Sequence, residues 1–178
     1  MLKNVLMGLA GLIVILIALG FVLPDNAHVE RSIVVNAPPE KVYALVADLN
    51  EADKWQPWAA MDAGITQEIT GSGVGQKQSW KSKKLGDGSQ EITSLNPPTH
   101  VDYALDFGAQ GVATAAIQIE PADAGATKVV WSLDANMRKG VPIYMQPIST
   151  YMGFFMDGMI GKDYETGLAN LKRVAEAQ

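Results

Sequence analysis

The chain begins with a stretch of apolar residues that no charge interrupts between Val5 and Leu23. At about 1.5 Å rise per residue, a helix over this stretch is long enough to cross a hydrocarbon core of about 30 Å. Pro24 ends the stretch, because its ring cannot continue a helix, and residues 24–28 form a short linker. The pattern predicts a transmembrane anchor with its linker over residues 1–27 and a folded ligand-binding domain over residues 28–178.

Charges on either side of the apolar stretch predict its orientation. Lys3 precedes it while Asp25 and Glu30 follow it, so the positive-inside rule leaves the amino terminus in the cytoplasm. The domain then faces the periplasm or cell exterior from a single-pass anchor in the inner (plasma) membrane. A cleavable signal peptide is an alternative, since Ala18 and Gly20 are small, but its apolar region usually has about 7 to 15 residues. A buried core helix is the least favoured alternative, because such a helix would show a polar stripe that this stretch lacks.

After the linker the pattern is that of a strand and then of a helix. "HVERSIVVNA" is strand-like, and Pro38 or Pro39 suits the first turn of the following helix. The apolar residues of that helix recur at helical spacing, at Val42, Leu45, Val46 and Leu49. Pro57 breaks a second helical turn between Trp55 and Trp58.

From Ile65 the pattern changes to a period of two, divided by glycine, proline, asparagine and aspartate. It predicts five or six antiparallel strands joined by hairpins, with turns near residues 71–75, 86–88, 96–98, 108–111 and 121–125. A long helix over roughly residues 149–176 follows. Because strands and helices are segregated, the order indicates an α+β domain with helices on one face of a curved antiparallel sheet.

Composition narrows the function. A net charge of -5 and a pI near 5.0 argue against nucleic acid as a partner, because such sites concentrate lysine and arginine. The absence of cysteine excludes disulfides, thiolate nucleophiles and cysteine-based metal sites. Of the two histidines, His28 falls in the linker and His100 at a turn, without metal-ligand spacing. We therefore expect no metal and no cofactor.

Three segments carry a resemblance to a known family. "VERSIVVNAPPEKVYALVADLNEADKWQPW", "GSGVGQKQSW" and "GLANLKRVAE" resemble the START-like (SRPBCC) superfamily, also called the polyketide cyclase/dehydrase and lipid transport family. The similarity covers residues 29–176. It implies a helix-grip fold, in which the sheet wraps around the C-terminal helix and an apolar ligand cavity lies between them. The family has diverse functions and no universal catalytic residues, so the fold alone does not give the function.

Alternation along the strands predicts which sheet residues face the final helix. Methionine conforms to irregular shapes, and Gly153, Gly158 and Gly161 leave room, so we interpret the helix as one wall of a cavity. The predicted ligand-binding residues are Trp55, Trp58, Gln78, Trp80, Tyr103, Phe107, Trp131, Met137, Tyr151, Phe155 and Met159. The alternative is a plain core, in which the glycines permit close packing of helix and sheet.

Polar residues on one strand support a pocket. Gln76, Gln78 and Ser82 are predicted to face inward with Trp80, where a ligand or a trapped water would satisfy them. A register shifted by one residue would place them in solvent instead.

Candidates for catalysis are weak. Asp157 lies in the most apolar part of the final helix, where desolvation would raise its pKa. Neighbouring helix positions point about 100° apart, however, and we favour the solvent side for Asp157. The other acid/base candidates are His100 and Glu91, and Tyr103 or Tyr151 would polarise a carbonyl.

These observations predict a membrane-tethered domain that binds a lipid or other apolar small molecule and is not an enzyme. The alternative is a polyketide cyclase/dehydrase-like enzyme acting on an apolar substrate. A third hypothesis is a scaffold with a closed cavity whose surface, with Trp55 and Trp58, meets another envelope protein. An anchored, disulfide-free domain of this kind is typical of bacteria.

Overall fold

Every segment with a period of two forms a strand, and the amphipathic segments form helices. The computed structural model describes residues 2–177. Its α-helices are α1 Leu2–Val22, α2 Pro39–Val46, α3 Trp58–Met61, α4 Gln146–Gly153 and α5 Met156–Glu176. Its strands are β1 Asn26–Val35, β2 Thr66–Thr70, β3 Lys77–Lys81, β4 Gly88–Asn96, β5 His100–Asp106, β6 Val112–Pro121 and β7 Thr127–Asn136.

The strands form one seven-stranded sheet in the order β1-β7-β6-β5-β4-β3-β2, with every neighbouring pair antiparallel. Strands β2 to β7 are therefore a simple meander, and β1 adds to its last strand. α5 contacts β1 and β7, so the sheet wraps around the C-terminal helix. The predicted α+β helix-grip fold is confirmed, including the six strands after Ile65.

The core lies between the concave face of the sheet, α2 and the second half of α5. The predicted stripe of α2 is buried, with Val42 and Val46 almost fully enclosed. From α5, Leu168 and Leu171 are the corresponding buried residues. Each fully buried aliphatic side chain of this kind contributes about 1.5–3 kcal/mol relative to an exposed one. This packing fixes α5 on the sheet.

The register of β3 agrees with the predicted alternation. Gln76, Gln78 and Ser82 are buried, while Lys81 and Lys83 are exposed. A shift by one residue would reverse this pattern, so the alternative register is excluded.

Two predicted boundaries need correction. The linker is shorter than residues 24–28, because β1 begins at Asn26 and pairs His28 with Asp134 of β7. The long final helix is also interrupted: Phe154 and Phe155 donate their backbone N–H groups to carbonyls three residues earlier. Such tight turns change the direction of a helix, and the glycine before them has a low helix propensity. α4 and α5 are therefore two separate helices rather than one.

Among residues 2–177, α1 is the one helix long and apolar enough to cross a membrane. Gly20 is the buried residue of this helix, and the other side chains of α1 are exposed. A Cβ atom on Gly20 would lie 2.6 Å from Cβ of Pro147 in α4. The close approach of the two helices therefore depends on this glycine.

Hydrogen bonds also join α1 to the rest of the protein. The Tyr151 hydroxyl of α4 donates to the Leu16 carbonyl at 2.8 Å. The Arg138 guanidinium donates to the carbonyls of Gly20 and Leu23 at 3.2 and 2.6 Å. Helix ends carry unpaired carbonyls, so Arg138 caps the C-terminal end of α1.

Candidate ligand-binding cavity

A cavity of about 580 Å³ lies between the sheet and helices α3, α4 and α5. Small-molecule sites in proteins usually occupy about 300–1,000 Å³. The wall is mostly apolar, and its larger members include Trp58, Met61, Trp80, Tyr103, Leu105, Phe107, Trp131, Leu133, Met137, Ile148, Met152, Met156 and Ile160. Side chains of the second half of α5 fill the space between this helix and the sheet. The first half of α5 borders the cavity instead.

A stack of aromatic rings forms one end of the cavity. Trp131 and Tyr164 stack with ring centroids 3.7 Å apart and an interplanar angle of 11°. Trp55 packs edge-on against Trp131 at 5.0 Å, and its indole N–H donates to the Leu45 carbonyl at 3.1 Å. Aromatic pairs in such geometries contribute beyond their buried area. This end of the cavity is therefore rigid.

Glutamines form a polar strip along the wall. Gln78 on β3 contacts Gln90 on β4, and Gln90 contacts Gln56 at 3.1 and 3.5 Å. Gln67 on β2 lies 3.1 Å from Gln78 and directs its amide nitrogen to the Asp53 carboxylate oxygens at 3.0 and 3.1 Å. An ionised carboxylate only accepts, so Asp53 orients the Gln67 amide. The other amides both donate and accept, and a ligand hydroxyl or carbonyl finds suitable partners here.

Two of the inward polar residues do not serve the cavity. Gln76 accepts a hydrogen bond from the Leu49 N–H at 2.8 Å and donates to Asp48 at 2.7 Å, which lowers the pKa of Asp48. Ser82 donates to Asp62 at 2.7 Å. The expectation that a ligand or water satisfies Gln76 and Ser82 is corrected, because protein groups do so.

The structure places eight of the predicted ligand-binding residues on the cavity wall, namely Trp58, Gln78, Trp80, Tyr103, Phe107, Trp131, Met137 and Met159. Trp55 lies behind the wall, where it is almost fully buried against Trp131. Tyr151 faces α1 through its hydrogen bond to Leu16. Phe155 is 64% exposed, because the break between α4 and α5 turns it outward. At these three positions the cavity-lining expectation is corrected.

The glycines of the final helices also differ from expectation. A Cβ on Gly153 would lie 2.8 Å from Met137 Cγ, and one on Gly161 would lie 2.0 Å from an Arg31 nitrogen. Both positions serve close packing, as the plain-core alternative held. Gly158 faces open space, but it is not on the cavity wall.

The catalytic candidates lie outside the cavity. Asp157 accepts hydrogen bonds from the Arg31 guanidinium at 2.8 and 3.1 Å, which lowers its pKa. Asp157 lies on the solvent side, as favoured from the sequence, and the raised pKa of the alternative does not apply. His100 pairs with Asp102 at 2.7 Å, and Glu91 lies on the opposite face of β4 from the buried Gln90.

The tyrosine hydroxyls proposed to polarise a carbonyl are already engaged. Tyr103 donates its hydroxyl to the Val46 carbonyl, and burial raises its pKa well above the ordinary value. Tyr151 donates to Leu16 in α1. Both hydroxyl protons are therefore already donated to backbone carbonyls and are not available to a ligand.

Two acidic residues on the wall, Asp53 and Asp163, are not among the residues predicted from the sequence. Asp163 of α5 lines the cavity, and burial raises the pKa of its carboxyl group. The structure gives Asp163 no hydrogen bond or ion pair with a side chain among residues 2–177. A helical count from Met156 and Met159 would have found it, because Asp163 follows them by seven and four residues on the same face.

No group of three or more histidine, aspartate or glutamate side chains converges as a metal site in the described part of the chain. The chemistry available at the cavity is mainly that of aromatic and methionine surfaces and glutamine amides, with the carboxyl groups of Asp53 and Asp163 and the ammonium group of Lys84. Such a wall has the composition of small-molecule sites for apolar ligands and offers few groups that transfer protons.

Comparisons with known proteins agree with this geometry. The profile of the family described as polyketide cyclase / dehydrase and lipid transport matches residues 26–176. No curated protein matches the chain. A solution structure of a Thermobifida fusca protein has a TM-score of 0.60 at 17% identity, covering 83% of this chain and 92% of that one.

Two further solved structures share the fold. The ZhuI aromatase/cyclase from Streptomyces sp. R1128 has a TM-score of 0.59 at 19% identity, covering 85% of this chain and 94% of its own. Ara h 8.0201 has a TM-score of 0.57 at 14% identity, with coverages of 86% and 99%. At these identities the likeness shows the fold alone. With the family profile spanning the whole sheet and α5, the chain belongs to the polyketide cyclase/dehydrase and lipid transport family.

Proposed function

We propose that this protein is a membrane-tethered binding domain that holds a lipid or another apolar small molecule in its cavity. The observation that carries the proposal is the apolar space of about 580 Å³ left open beneath α4 and the first half of α5. Protein interiors contain few voids larger than a water molecule, so an apolar space of this size is unusual for a plain core and has the size of a small-molecule site. Tethering raises the effective concentration of membrane-derived ligands at the cavity.

The contacts of α1 support an uncut anchor over a cleaved signal peptide. Arg138 and Tyr151 bond to carbonyls in the last two turns of α1, and Gly20 fits against Pro147. Cleavage after α1 would leave the Arg138 guanidinium without these acceptors and would uncover α4. The predicted orientation, with the domain outside the cytoplasm, stays part of the proposal.

Photo-crosslinking in membranes tests the binding role. The full chain is reconstituted in vesicles that contain a phospholipid with a photoreactive group on its acyl chain, and the adducts are mapped by mass spectrometry. We expect adducts on α1 and on deep wall residues such as Trp80 and Leu133. Adducts on α1 alone would reject lipid binding in the cavity, and a chain without adducts on α1 would reject the anchor.

A variant of the wall provides the control. Ala115 lies on β6, is 6% exposed and lines the cavity, so Ala115→Trp narrows the space without changing the surface. We expect fewer adducts on the deep wall and unchanged adducts on α1. Equal labelling of the deep wall in both proteins would contradict ligand entry.

Asp163 favours a second candidate function, an enzyme of the cyclase or dehydratase type. Burial raises the pKa of the Asp163 carboxyl group, and a carboxyl group of this kind on an apolar wall is a candidate general acid or base. The bound molecule is identified after extraction and incubated with the native protein and with Asp163→Asn. Turnover that Asp163→Asn abolishes while binding persists would support the enzyme, and no turnover by the native protein would reject it.

A further inference from the structure

The surface beside α1 carries a patch of large apolar side chains. The apolar patch consists of Ile143 (71% exposed), Tyr144 (76%), Ile148 (58%), Phe154 (59%) and Phe155 (64%). Residues 140–156 contain no charged side chain. Soluble proteins rarely expose apolar residues in such a concentration, and larger patches mark membrane or protein contacts.

The position of the patch along α1 indicates the partner. Tyr151 in α4 bonds to Leu16, while Arg138 bonds to Leu23 at the end of α1. Those two carbonyls are about 10 Å apart along a helix axis at 1.5 Å per residue. α4 therefore runs beside the last two turns of the apolar helix, and a bilayer that surrounds α1 to its end also reaches α4.

Charged groups mark where this apolar layer ends. Arg138 lies 3.6 Å from Asp25, and both are just beyond the end of α1. Tyrosine is enriched where the hydrocarbon core meets water, which suits Tyr144 and Tyr151 of the α4 region. A protein partner would not need this alignment with the level of α1, whereas a bilayer requires it.

The rim of the cavity belongs to the same layer. Met145, Ile148, Met152 and Met159 line the cavity, and each is at least 40% exposed. An entrance formed by pliable apolar side chains lets acyl chains pass without exposing them to water. The cavity therefore has its apolar opening on the side of α4.

We propose that residues 140–156 lie in the outer boundary of the bilayer beside α1, so that the cavity opens directly into the lipid. The inference rests on the proposed anchor, and it adds how the ligand enters. A lipid moves sideways from the membrane into the cavity, and its polar end reaches the glutamine strip of Gln78 and Gln90.

Site-directed spin labelling tests this arrangement cleanly, because the native chain has no cysteine. Single cysteines are placed at Ile143 and Phe155 in the patch, at Leu12 in α1, and at Val74 in the β2–β3 turn, which is 62% exposed. The full-length variants are spin-labelled and reconstituted in vesicles of phosphatidylcholine and phosphatidylglycerol. Collision with oxygen is then compared with collision with a water-soluble nickel chelate.

We expect the ratio of oxygen to nickel collisions at Ile143→Cys and Phe155→Cys to exceed that at Val74→Cys about tenfold, because hydrocarbon excludes the polar chelate. If Leu12→Cys gives a high ratio while both patch sites resemble Val74→Cys, the inference is overturned and the anchor stands. If Leu12→Cys itself resembles Val74→Cys, the anchor fails and the inference fails with it.

A second variant separates α4 from α1 while the hydrophobicity of α1 is preserved. Gly20→Leu places a side chain against Pro147, whereas Gly11→Leu adds the same side chain where nothing lies within 4 Å. In the Phe155→Cys background, we expect Gly20→Leu to lower the ratio toward that of Val74→Cys and Gly11→Leu to leave it unchanged. A ratio unaffected by Gly20→Leu would show that α4 reaches the bilayer without α1, which contradicts the proposed docking.

Discussion

The two halves of the interface between α5 and the sheet are built for different purposes. In the second half, Leu168 and Leu171 are almost fully buried and pack against the sheet. In the first half, Met156 and Met159 border the cavity, and Met159 is 54% exposed. One helix therefore supplies stability at one end and access at the other.

Of the glycines in α5, Gly167 and Gly158 differ in the same way, whereas Gly161 in the first half packs against Arg31. In the second half, a Cβ on Gly167 would lie 2.7 Å from Trp131 and 3.3 Å from Pro57, so the missing side chain is used for packing. In the first half, Gly158 has no atom within 4 Å of such a Cβ. A glycine-rich helix is therefore not itself evidence of a cavity.

We call the second half of α5, which packs against the sheet, the closed half, and the first half, which borders the cavity, the open half. The largest expected change in stability comes from a substitution in the closed half. Leu171 is fully buried, and Leu171→Ala leaves a hole in the core, so we expect a loss of about 2–5 kcal/mol in the free energy of unfolding. Met159→Ala, on the open half, changes it by about 0.5 kcal/mol or less. Chemical denaturation of the full chain in mild detergent measures both. Equal losses would mean that the open half also carries the fold.

The next largest changes in stability are expected at two glycines of α5, Gly167 and Gly158. Gly167→Ala forces Trp131 or Pro57 to move, and we expect it to destabilise the protein by about 1–3 kcal/mol. Gly158→Ala meets nothing and removes backbone freedom from the unfolded chain, so we expect a gain of about 0.5 kcal/mol. The two midpoints of thermal unfolding should shift in opposite directions. Destabilisation by Gly158→Ala would show hidden packing at the open end.

The sequence predicted most of the fold because its periods are regular. The stripe of Val42 and Val46 and the alternation of Gln78 with its neighbours each place a side chain on one face. The break at Phe154 and Phe155 was not predictable, since their i→i−3 hydrogen bonds depend on where α4 docks. A continuous helical period put Phe155 inward, and the break turned it out.

The candidate site was less predictable, because a wall depends on several elements at once. The partners of Gln78 come from β2 and β4, because the strand register brings Gln67 and Gln90 to it. Gln90 in turn contacts Gln56, which lies in the segment before α3. Trp55 and Trp58 are three residues apart, yet the Leu45 carbonyl holds Trp55 behind the wall. Asp163 was predictable from the helical period of α5, because it shares a face with Met156 and Met159.

Asp163 and Asp157 on α5 have smaller expected effects on stability, and both effects depend on pH. Burial raises the pKa of Asp163 above its ordinary value of 3.8, so its ionised form costs stability in the folded protein. This cost is absent below pH 3.8 and grows as the pH rises through the folded pKa. We expect Asp163→Asn to unfold at a higher temperature than the native protein at pH 7 and at the same temperature near pH 3. A lower unfolding temperature at pH 7 would indicate a stabilising partner for the carboxylate.

Asp157 has the smallest expected effect. Its carboxylate stabilises the folded protein, whereas that of Asp163 destabilises it. The Arg31 guanidinium, which also pairs with Glu165, lowers the pKa of Asp157 below 3.8. Its stabilisation is therefore fully present above pH 3.8 and is lost as the pH falls through the folded pKa. Because the pair is exposed to solvent, Asp157→Asn should lower the unfolding temperature only slightly at pH 7, and by less as the pH falls through the folded pKa.

Glu68→Gln is the matched control for Asp157→Asn, since Glu68 is exposed on β2 and has no ion pair with any residue that the structure describes. We expect it to leave the unfolding temperature unchanged across the same pH range, measured by circular dichroism. If Asp157→Asn also has no effect at pH 7, Arg31 is held by Glu165 alone, and the first turn of α5 is free to move at the edge of the open half. If instead the loss does not decrease as the pH falls, Asp157 stabilises α5 by a means other than its charge.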